Sequence, residues 1–327
     1  MKSLRGSGTG CIGDAGNPPV LILGYKRFAE ITKIIRILAP SNPCCIVVSI
    51  DGPRRGGASS KTSLRLSLQK EIGPETNLVF EQQPENLGIA KHLYQAVTKV
   101  LDTHQSLLVL EDDCMPASGL YSYMAQALVA HQNDKTIGTI AADAHVLTRR
   151  NTAYVESSMF PLTWGWGTWA DRWSGFDVQL STFSREEIDR AICRSNPSPF
   201  VRRHWKRRIK ESIADTNMWD AQWTVYQWLN KYLTINPSFP LINNVGHDSK
   251  ATHTLTESIF TNTGFHRLAD HLWKSSEVSS PIKWGRLRKL EHFALIRLDN
   301  LLGLFSGKFK GALISRVVAT LRRIQGN

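Results

Sequence analysis

The sequence predicts an α/β fold with a mostly parallel central sheet flanked by helices, and with a basic helical extension at its C-terminal end. Over residues 19–110, short apolar runs rich in β-branched residues alternate with segments whose apolar residues keep helical spacing. This alternation is typical of βαβ units on a parallel sheet. The 327 residues suffice for one large domain or two small ones, either with a sizeable core.

The individual elements follow from the period of the apolar residues. Strands are predicted at 19–24 (PVLILG), 45–50 (CIVVSI), 77–81, 107–110 and around 233–236. Helices are predicted around 28–38, at 89–101, over a basic stretch at about 184–212, and around 219–229. Because ligands bind beyond the carboxyl ends of parallel strands, the residues that follow these strands are the first candidates for a site.

Composition divides the chain into three parts. Residues 1–17 are Gly-rich and are interpreted as a flexible N-terminal tail, residues 18–260 as the main domain, and residues 261–327 as a basic amphipathic helical region. The formal net charge is +12, and residues 281–327 hold ten Lys or Arg against two acidic residues. The excess charge therefore lies mostly near the C-terminal end, and it favours nucleotides, nucleic acid or acidic lipid as partners.

Within this C-terminal region, apolar residues repeat at three- and four-residue spacing beside Arg316, Arg322 and Arg323. A basic amphipathic helix can lie on an anionic membrane surface, or it can pack on the main domain. Both interpretations stay open. The apolar residues of the repeat are Leu313, Ile314, Val317, Val318, Leu321 and Ile324.

Cysteine usage and the absence of targeting signals indicate a cytoplasmic protein, with peripheral attachment to the inner face of the plasma membrane as a further expectation. The five cysteines are odd in number and show no C-x-x-C spacing. They argue for reduced thiols and against a zinc site or a disulfide framework. The N-terminal residues carry no apolar signal core, and no apolar stretch approaches the length of a spanning helix.

The most informative stretch is LLVLEDDCMPA at 107–117, where an apolar strand ends in Glu111, Asp112 and Asp113. Adjacent like charges repel, so the cluster favours a site that holds a cation. Mg2+ and Mn2+ are typically held by one or two carboxylates together with substrate phosphates. A solvated turn or a helix N-terminus is the alternative interpretation of the same acids.

Two further segments carry candidate chemistry. Residues 159–173 (MFPLTWGWGTWADRW) alternate large rings with glycine, a pattern that could line a groove for a sugar, although core packing is the default for any tryptophan. Asp220 lies between Trp219 and Trp223, and a carboxylate that bulky rings strip of water has a raised pKa, which suits a general base. An ordinary acid in the first turn of a helix is the alternative.

A polar loop follows the last predicted strand. Residues 242–254 (INNVGHDSKATHT) contain His247 and His253, and either histidine could complete a metal shell or contact a phosphate. A lone histidine is more often structural. The sequence does not decide which of the two, if either, meets a metal.

Taken in order, several segments resemble the GT-A (Rossmann-like) glycosyltransferases. They resemble the bacterial family-2-like sugar transferases and, more distantly, the N-acetylglucosaminyltransferase that begins complex N-glycan branching. The resemblance covers about residues 18–255, and the ordered set is more specific than any single motif. The matching segments are PVLILGYKR, SIDG, NLGIAKHLYQAV, LVLEDD, FPLTWGWGTW, WDAQW and NPSFPLINNVGHDSKATHT.

The resemblance implies roles in donor binding for five positions. Asp51 would contact the nucleobase, Arg27 would lie near the nucleotide, and Lys91, at the start of the matching helix, would help to bind it. Glu111 and Asp112 would bind the ribose or the sugar. The implied donor is a nucleoside diphosphate sugar that is UDP- or GDP-linked.

The resemblance also implies a metal and a base. Asp113 would be the direct ligand of Mn2+ or Mg2+, and His253 is the second candidate ligand. Relatives often carry an aromatic residue at the position of His247, so the choice between the two histidines stays open. Asp220 matches the catalytic base of the distant relative.

The aromatic block is placed by the same resemblance, in which Trp164, Gly165 and Trp166 would lie near the donor sugar and the acceptor. The last 70 or so residues of the chain match no part of the family pattern.

The function predicted from these observations is a metal-dependent inverting glycosyltransferase that acts on a hydroxyl of a glycan or a lipid-linked glycan, with no nucleic-acid partner. A metal-dependent nucleotidyltransferase is the first alternative, although G-Y-K-R after the first strand has few glycines for its usual loop. A non-enzymatic binder of membrane or nucleic acid through the basic region is the second. That binder would show strongly salt-dependent binding that survives loss of Asp113.

Overall fold

The computed structural model describes residues 16–54, 68–69, 77–144, 155–196, 198–215, 217–246 and 282–283. Within these ranges the chain forms an α/β fold with a large, mostly parallel, Rossmann-like sheet and helices on both of its faces. The predicted α/β class is therefore confirmed, whereas the predicted helical C-terminal extension lies outside the described residues apart from 282–283.

The described strands form a nine-stranded sheet and a separate two-stranded ribbon. The order in the large sheet is β11-β7-β9-β6-β8-β4-β1-β2-β3, and the ribbon pairs β5 with β10. Strands β3, β2, β1 and β4 are mutually parallel, and β8 joins them in antiparallel fashion to the parallel pair β6 and β9. The strands are β1 (Val20–Gly24), β2 (Ile46–Ile50), β3 (Leu78–Gln82), β4 (Ser106–Glu111), β5 (Cys114–Pro116), β6 (Ile137–Ala141), β7 (Val155–Ser158), β8 (Trp166–Trp169), β9 (Leu233–Pro237), β10 (Ile242–Asn244) and β11 (Ile282–Lys283).

Alternate side chains of the central strands are buried against helices on opposite faces of the sheet. In β1, Val20 and Ile22 belong to a core shared with α1 and α3, whereas Leu21 and Leu23 belong to a core shared with α2 and α7. Burial on both faces explains why this strand is a continuous apolar run. The helices are α1 (Phe28–Leu38), α2 (Ile89–Leu101), α3 (Leu120–His131), α4 (Ala170–Trp173), α5 (Arg185–Ser195), α6 (Pro199–Ala214) and α7 (Asp220–Leu229).

The single helical stretch predicted over 184–212 is corrected to two helices, α5 and α6. Helix α5 begins with a capping box in which Ser184 and Glu187 satisfy each other's backbone N–H groups, and it ends at Asn196. The next residue is Pro197, which disfavours helical geometry at the position before it. Helix α6 restarts with a proline in its first turn.

Helix α3 was not predicted, because its apolar residues do not form a single stripe. Tyr121, Tyr123, Ala125 and Ala127 are all buried, and at 3.6 residues per turn they span more than half of the helix circumference. A helix that is apolar nearly all round gives little helical periodicity. The short strands β6 and β7 were not predicted either.

Several predictions fall outside the described residues. The N-terminal tail at 1–17 is described only from residue 16, the C-terminal region at 261–327 is described only at 282–283, and the loop containing His247 and His253 is not described. Strand β11 pairs with β7, so these two residues of the C-terminal region lie at the edge of the sheet. Among the described residues, no helix has the length and apolar character needed to cross a bilayer.

Candidate active site

A cleft of about 570 Å3 lies where β1, β2 and β4 end. It is lined by the residues that follow these strands, including Tyr25, Asp51 and the cluster that begins at Glu111. Trp164 and the segment that leads into α7 at Asp220 also line it. Chain segments that are far apart in sequence therefore contribute acidic, basic and aromatic side chains to one cavity.

The three carboxylates of the cluster have different contacts. Glu111 accepts a hydrogen bond from the Trp219 side chain. The Asp112 carboxylate accepts the backbone N–H of Tyr25 at 2.9 Å, and so holds the loop between β1 and α1. The Asp113 carboxylate lies beside Gly246, just after β10. The charges of Asp112 and Asp113 remain close enough to Glu111 to act on its pKa.

Gly246 lies against the Asp113 carboxylate. A Cβ at this position would be 2.3 Å from Asp113 Oδ2 and 3.0 Å from Asn244 Oδ1, so only glycine fits without a shift. The Val245 N–H donates to the backbone oxygen of Asp113 at 2.8 Å. Pairing of β10 with β5 thus brings the chain to the acidic cluster immediately before His247 in the sequence.

Burial and mutual repulsion act on the acids of this cluster. Burial raises the pKa of Glu111 well above its usual value, and the charges of Asp113, Asp112 and Asp220 raise it further. Burial also raises the pKa of Asp112 to about 6, although the backbone bond from Tyr25 opposes the rise. Carboxylates with like-charge neighbours are chemically suited to a hard divalent cation. Among the described residues, however, no three of these carboxylates bring ligand atoms within 4.8 Å of one another.

Asp51 is buried and its carboxylate is saturated with hydrogen bonds. Oδ1 accepts the backbone N–H groups of Gly52 and Leu87, each at 2.8 Å. Oδ2 accepts from Asn86 Nδ2 at 2.9 Å and from the Gly88 N–H at 3.1 Å. The structure therefore gives Asp51 a positioning role: it fixes the loop that precedes α2 on the wall of the cleft.

Replacing Asp51 with asparagine is expected to lower the free energy of unfolding by about 2–3 kcal/mol, because an NH2 group would face N–H donors in a buried site. Urea denaturation measures the change. Asp102→Asn, which removes the same charge from an exposed helix end, should change stability by about 0.5 kcal/mol or less. Unchanged stability together with lost nucleotide binding would favour the direct nucleobase contact implied by the family resemblance over the positioning role.

At the start of α2, the cleft is lined by His92 and not by Lys91. Lys91 is exposed and is absent from the cleft lining, whereas His92 is 1% exposed and its Nε2 lies 2.8 Å from Ser49 Oγ. Burial lowers the pKa of this imidazole, and the charge of Asp51 opposes part of the shift. Sequence reasoning missed His92, although it lies on the same helical stripe as Leu93 and Ala96.

The aromatic block is mostly core, which corrects the prediction of a groove lined by the whole segment. Trp166 is 1% exposed, and its ring centroid lies 5.4 Å from those of Trp219 and Trp223. Gly165, with φ of +68°, forms the turn into β8 and packs against Ile242. Trp164 is the member of the predicted trio that lines the cleft.

Asp220 opens α7 and lines the cleft, and its partner is a cation. Arg208 Nη2 of α6 donates to Asp220 Oδ2 at 2.5 Å, and the side chains of Asp220 and Arg208 are 39% and 33% exposed. The expectation that bulky rings strip this carboxylate of water is therefore wrong. Among the described residues, Asp220 Oδ1 has no hydrogen bond, and the charge of Asp220 is near enough to Glu111 to raise the pKa of that carboxyl.

Among the described residues, three guanidinium groups line the cleft together with six carboxylates. Arg27 is buried beside Asp112 at the start of α1, Arg54 follows β2, and Arg208 lies beside Asp220. Arginine side chains bind phosphate oxygens with paired N–H groups. Sequence reasoning singled out Arg27 but missed Arg54 and Arg208, because the fold alone brings them to the cavity.

No protein family model and no curated protein matches the chain. Among solved structures, it is similar to UDP-glucose pyrophosphorylase complexed with UDP-glucose, with a TM-score of 0.36 and 9% sequence identity. The likeness covers 68% of this chain and 91% of that chain. At this distance the similarity carries no inference about activity.

Proposed function

We propose that the chain is a metal-dependent inverting glycosyltransferase that moves a sugar from a nucleoside diphosphate sugar to a hydroxyl acceptor. One observation carries this proposal: the cleft is lined by a cluster of carboxylates at a strand end and by a separate carboxylate, Asp220, from another element. A metal-binding group and a base in one cavity are the minimum that such a transfer needs.

The donor would bind with its diphosphate at the acidic cluster. Asp113 is the proposed ligand of Mn2+ or Mg2+, and His247 or His253, which follow the described end of β10, are the proposed further ligands. When bound, the cation supplies Lewis-acid stabilisation of the negative charge that develops on the departing diphosphate. Arg27 and Arg54 would bind phosphate oxygens, and the Asp51-fixed loop with His92 would form the wall for the nucleoside.

Asp220 would act on the acceptor. Its Oδ1 takes the proton of the acceptor hydroxyl, whose oxygen forms a bond to the anomeric carbon while the bond from that carbon to the diphosphate oxygen breaks. The electron pair leaves with the nucleoside diphosphate, and attack opposite to the leaving group inverts the anomeric centre. Arg208 holds the other oxygen of Asp220 and so orients the carboxylate towards the cleft.

Trp164, which is partly exposed and lines the cleft, would provide a flat apolar face for the sugar ring. Trp219 is 5% exposed and would instead hold Glu111 in place. The acceptor proposed from the sequence is a glycan or a lipid-linked glycan. Contact of the basic C-terminal region with an anionic membrane surface would bring a lipid-linked acceptor to the cleft.

Calorimetric titration of UDP and GDP into the purified chain, with and without Mn2+, tests the donor site. We expect one nucleotide to bind in a metal-dependent manner, because the cluster and the diphosphate share the cation. Failure of both nucleotides to bind under every condition would contradict the proposal.

The nucleotidyltransferase alternative is separated by its product. A glycosyltransferase releases a nucleoside diphosphate from its donor. A nucleotidyltransferase joins a sugar phosphate to a nucleoside triphosphate, and pyrophosphate leaves from the triphosphate. A sugar phosphate attacks as an anion and has no proton to lose, so that reaction has no need of Asp220 as a base. The two products are resolved by anion-exchange chromatography.

A further inference from the structure

A second cluster of metal-ligating side chains lies at the other end of the sheet. One ligand atom each from Cys44, Cys45 and His104 lies within 4.8 Å of the others. The two cysteines immediately precede β2, His104 lies between α2 and β4, and neither cysteine is in a disulfide. These are the amino ends of parallel strands, so the cluster lies about 17 Å from the cleft, the length of five extended residues.

The tautomer of His104 is fixed by its own hydrogen bonds. Nδ1 lies 3.0 Å from the backbone oxygen of Val100, which can only accept, so Nδ1 carries the proton. The remaining nitrogen, Nε2, then presents a lone pair. Nε2 is buried and has no hydrogen-bond partner among the described residues.

A backbone carbonyl that holds Nδ1–H while Nε2 stays basic is the usual arrangement around a metal-bound histidine. An unpartnered buried nitrogen costs free energy, which a ligand at Nε2 would recover. The two thiols within reach are soft donors, and a donor set of two sulfurs and one nitrogen suits Zn2+ better than Mg2+ or Mn2+.

The geometry leaves room for the ion. With Zn–S of about 2.3 Å and Zn–N of about 2.0 Å, tetrahedral ligand atoms are roughly 3.5–3.8 Å apart, so small side-chain rotations from the observed spacing suffice. Cys45 and His104 also line a cavity of about 160 Å3, which has space for a water molecule as a fourth ligand.

We propose that Cys44, Cys45 and His104 bind one Zn2+ ion, which ties the start of β2 to the segment between α2 and β4. The sequence argued against zinc because it lacks C-x-x-C spacing, but the fold assembles this site from adjacent cysteines and a distant histidine. Binding replaces the thiol protons by metal–sulfur bonds and releases those protons to solvent. The site is independent of the proposed transfer reaction.

Cobalt substitution in the full chain tests the proposal. The reduced, chelator-treated protein is titrated with Co2+ under nitrogen, and thiolate-to-cobalt charge transfer is followed in the near ultraviolet. We expect a band that saturates at one equivalent and disappears when Zn2+ is added. Zn2+ should also raise the Tm of the wild-type chain, because it binds the folded state.

Variants assign the ligands. Cys44→Ser, Cys45→Ser and His104→Gln should each weaken cobalt binding at least tenfold, whereas Cys193→Ser removes a half-buried thiol elsewhere and should leave the band intact. Asp113→Asn should also leave it intact, since carboxylates give no thiolate band. Absence of the band in the reduced wild-type chain overturns the proposal without any variant, and so does its persistence in a folded Cys44→Ser/Cys45→Ser double variant.

Discussion

Replacing Asp220 with asparagine is expected to lower the turnover number for sugar transfer by about 10²–10⁴-fold, the range that general-base catalysis contributes. Asparagine keeps the shape of the side chain and an oxygen that can accept from Arg208, but its amide cannot take the acceptor proton. Binding of the nucleoside diphosphate should be unchanged, because the diphosphate site is formed by the acidic cluster. The measurement is release of nucleoside diphosphate from the donor identified by calorimetry.

The matched control is Asp189→Asn, which removes an acid whose ion pair with Lys206 has a similar distance, 2.6 Å, and which does not line the cleft. We expect it to change turnover less than twofold. If Asp220→Asn retains full turnover, Asp220 is not the base, and the inverting mechanism proposed for this cleft is wrong. Retained turnover together with pyrophosphate release would favour the nucleotidyltransferase alternative.

The fold was predictable in those segments where the spacing of the apolar residues follows a single pattern. Strands β1 and β2 are buried on both faces and read as continuous apolar runs, and helix α2 keeps one apolar stripe, so its predicted bounds agree with the structure. Helix α3 was not predictable in this way, because it is buried around most of its circumference. The break between α5 and α6 could have been found, since Pro197 and Pro199 are visible in the sequence.

The candidate site was predictable only in part, because sequence spacing does not state which partner a side chain meets. Trp164 and Trp166 are two residues apart in one motif, yet one lines the cleft and the other lies in the core. Asp220 has aromatic neighbours in sequence, but in space it pairs with Arg208 of another helix. Helical periodicity, by contrast, could have identified His92 as the inward-facing neighbour of Lys91.

Replacing Asp113 with asparagine is expected to weaken metal-dependent nucleotide binding by roughly 100-fold or more, since loss of a direct ligand should cost at least as much as loss of a supporting residue. The amide keeps the volume beside Gly246 but removes the charge and one anionic oxygen from the cation. The measurement is calorimetric titration of the bound nucleotide in the presence of Mn2+. Asp215→Asn, which removes an exposed acid from the lining of the same cleft, should bind nucleotide normally.

The stability of the metal-free Asp113→Asn variant separates a cation site from a structural turn. The charge of Asp113 raises the pKa of Glu111, so the two carboxylates repel when no cation is bound. Removing that charge should leave the Tm of the metal-free chain unchanged or higher, and should abolish the increase in Tm that Mn2+ gives the wild-type chain. A lower Tm without metal, combined with an unchanged response to Mn2+, would instead make Asp113 a structural acid. The acidic cluster would then be a solvated turn, which is the alternative interpretation of the same residues in the sequence.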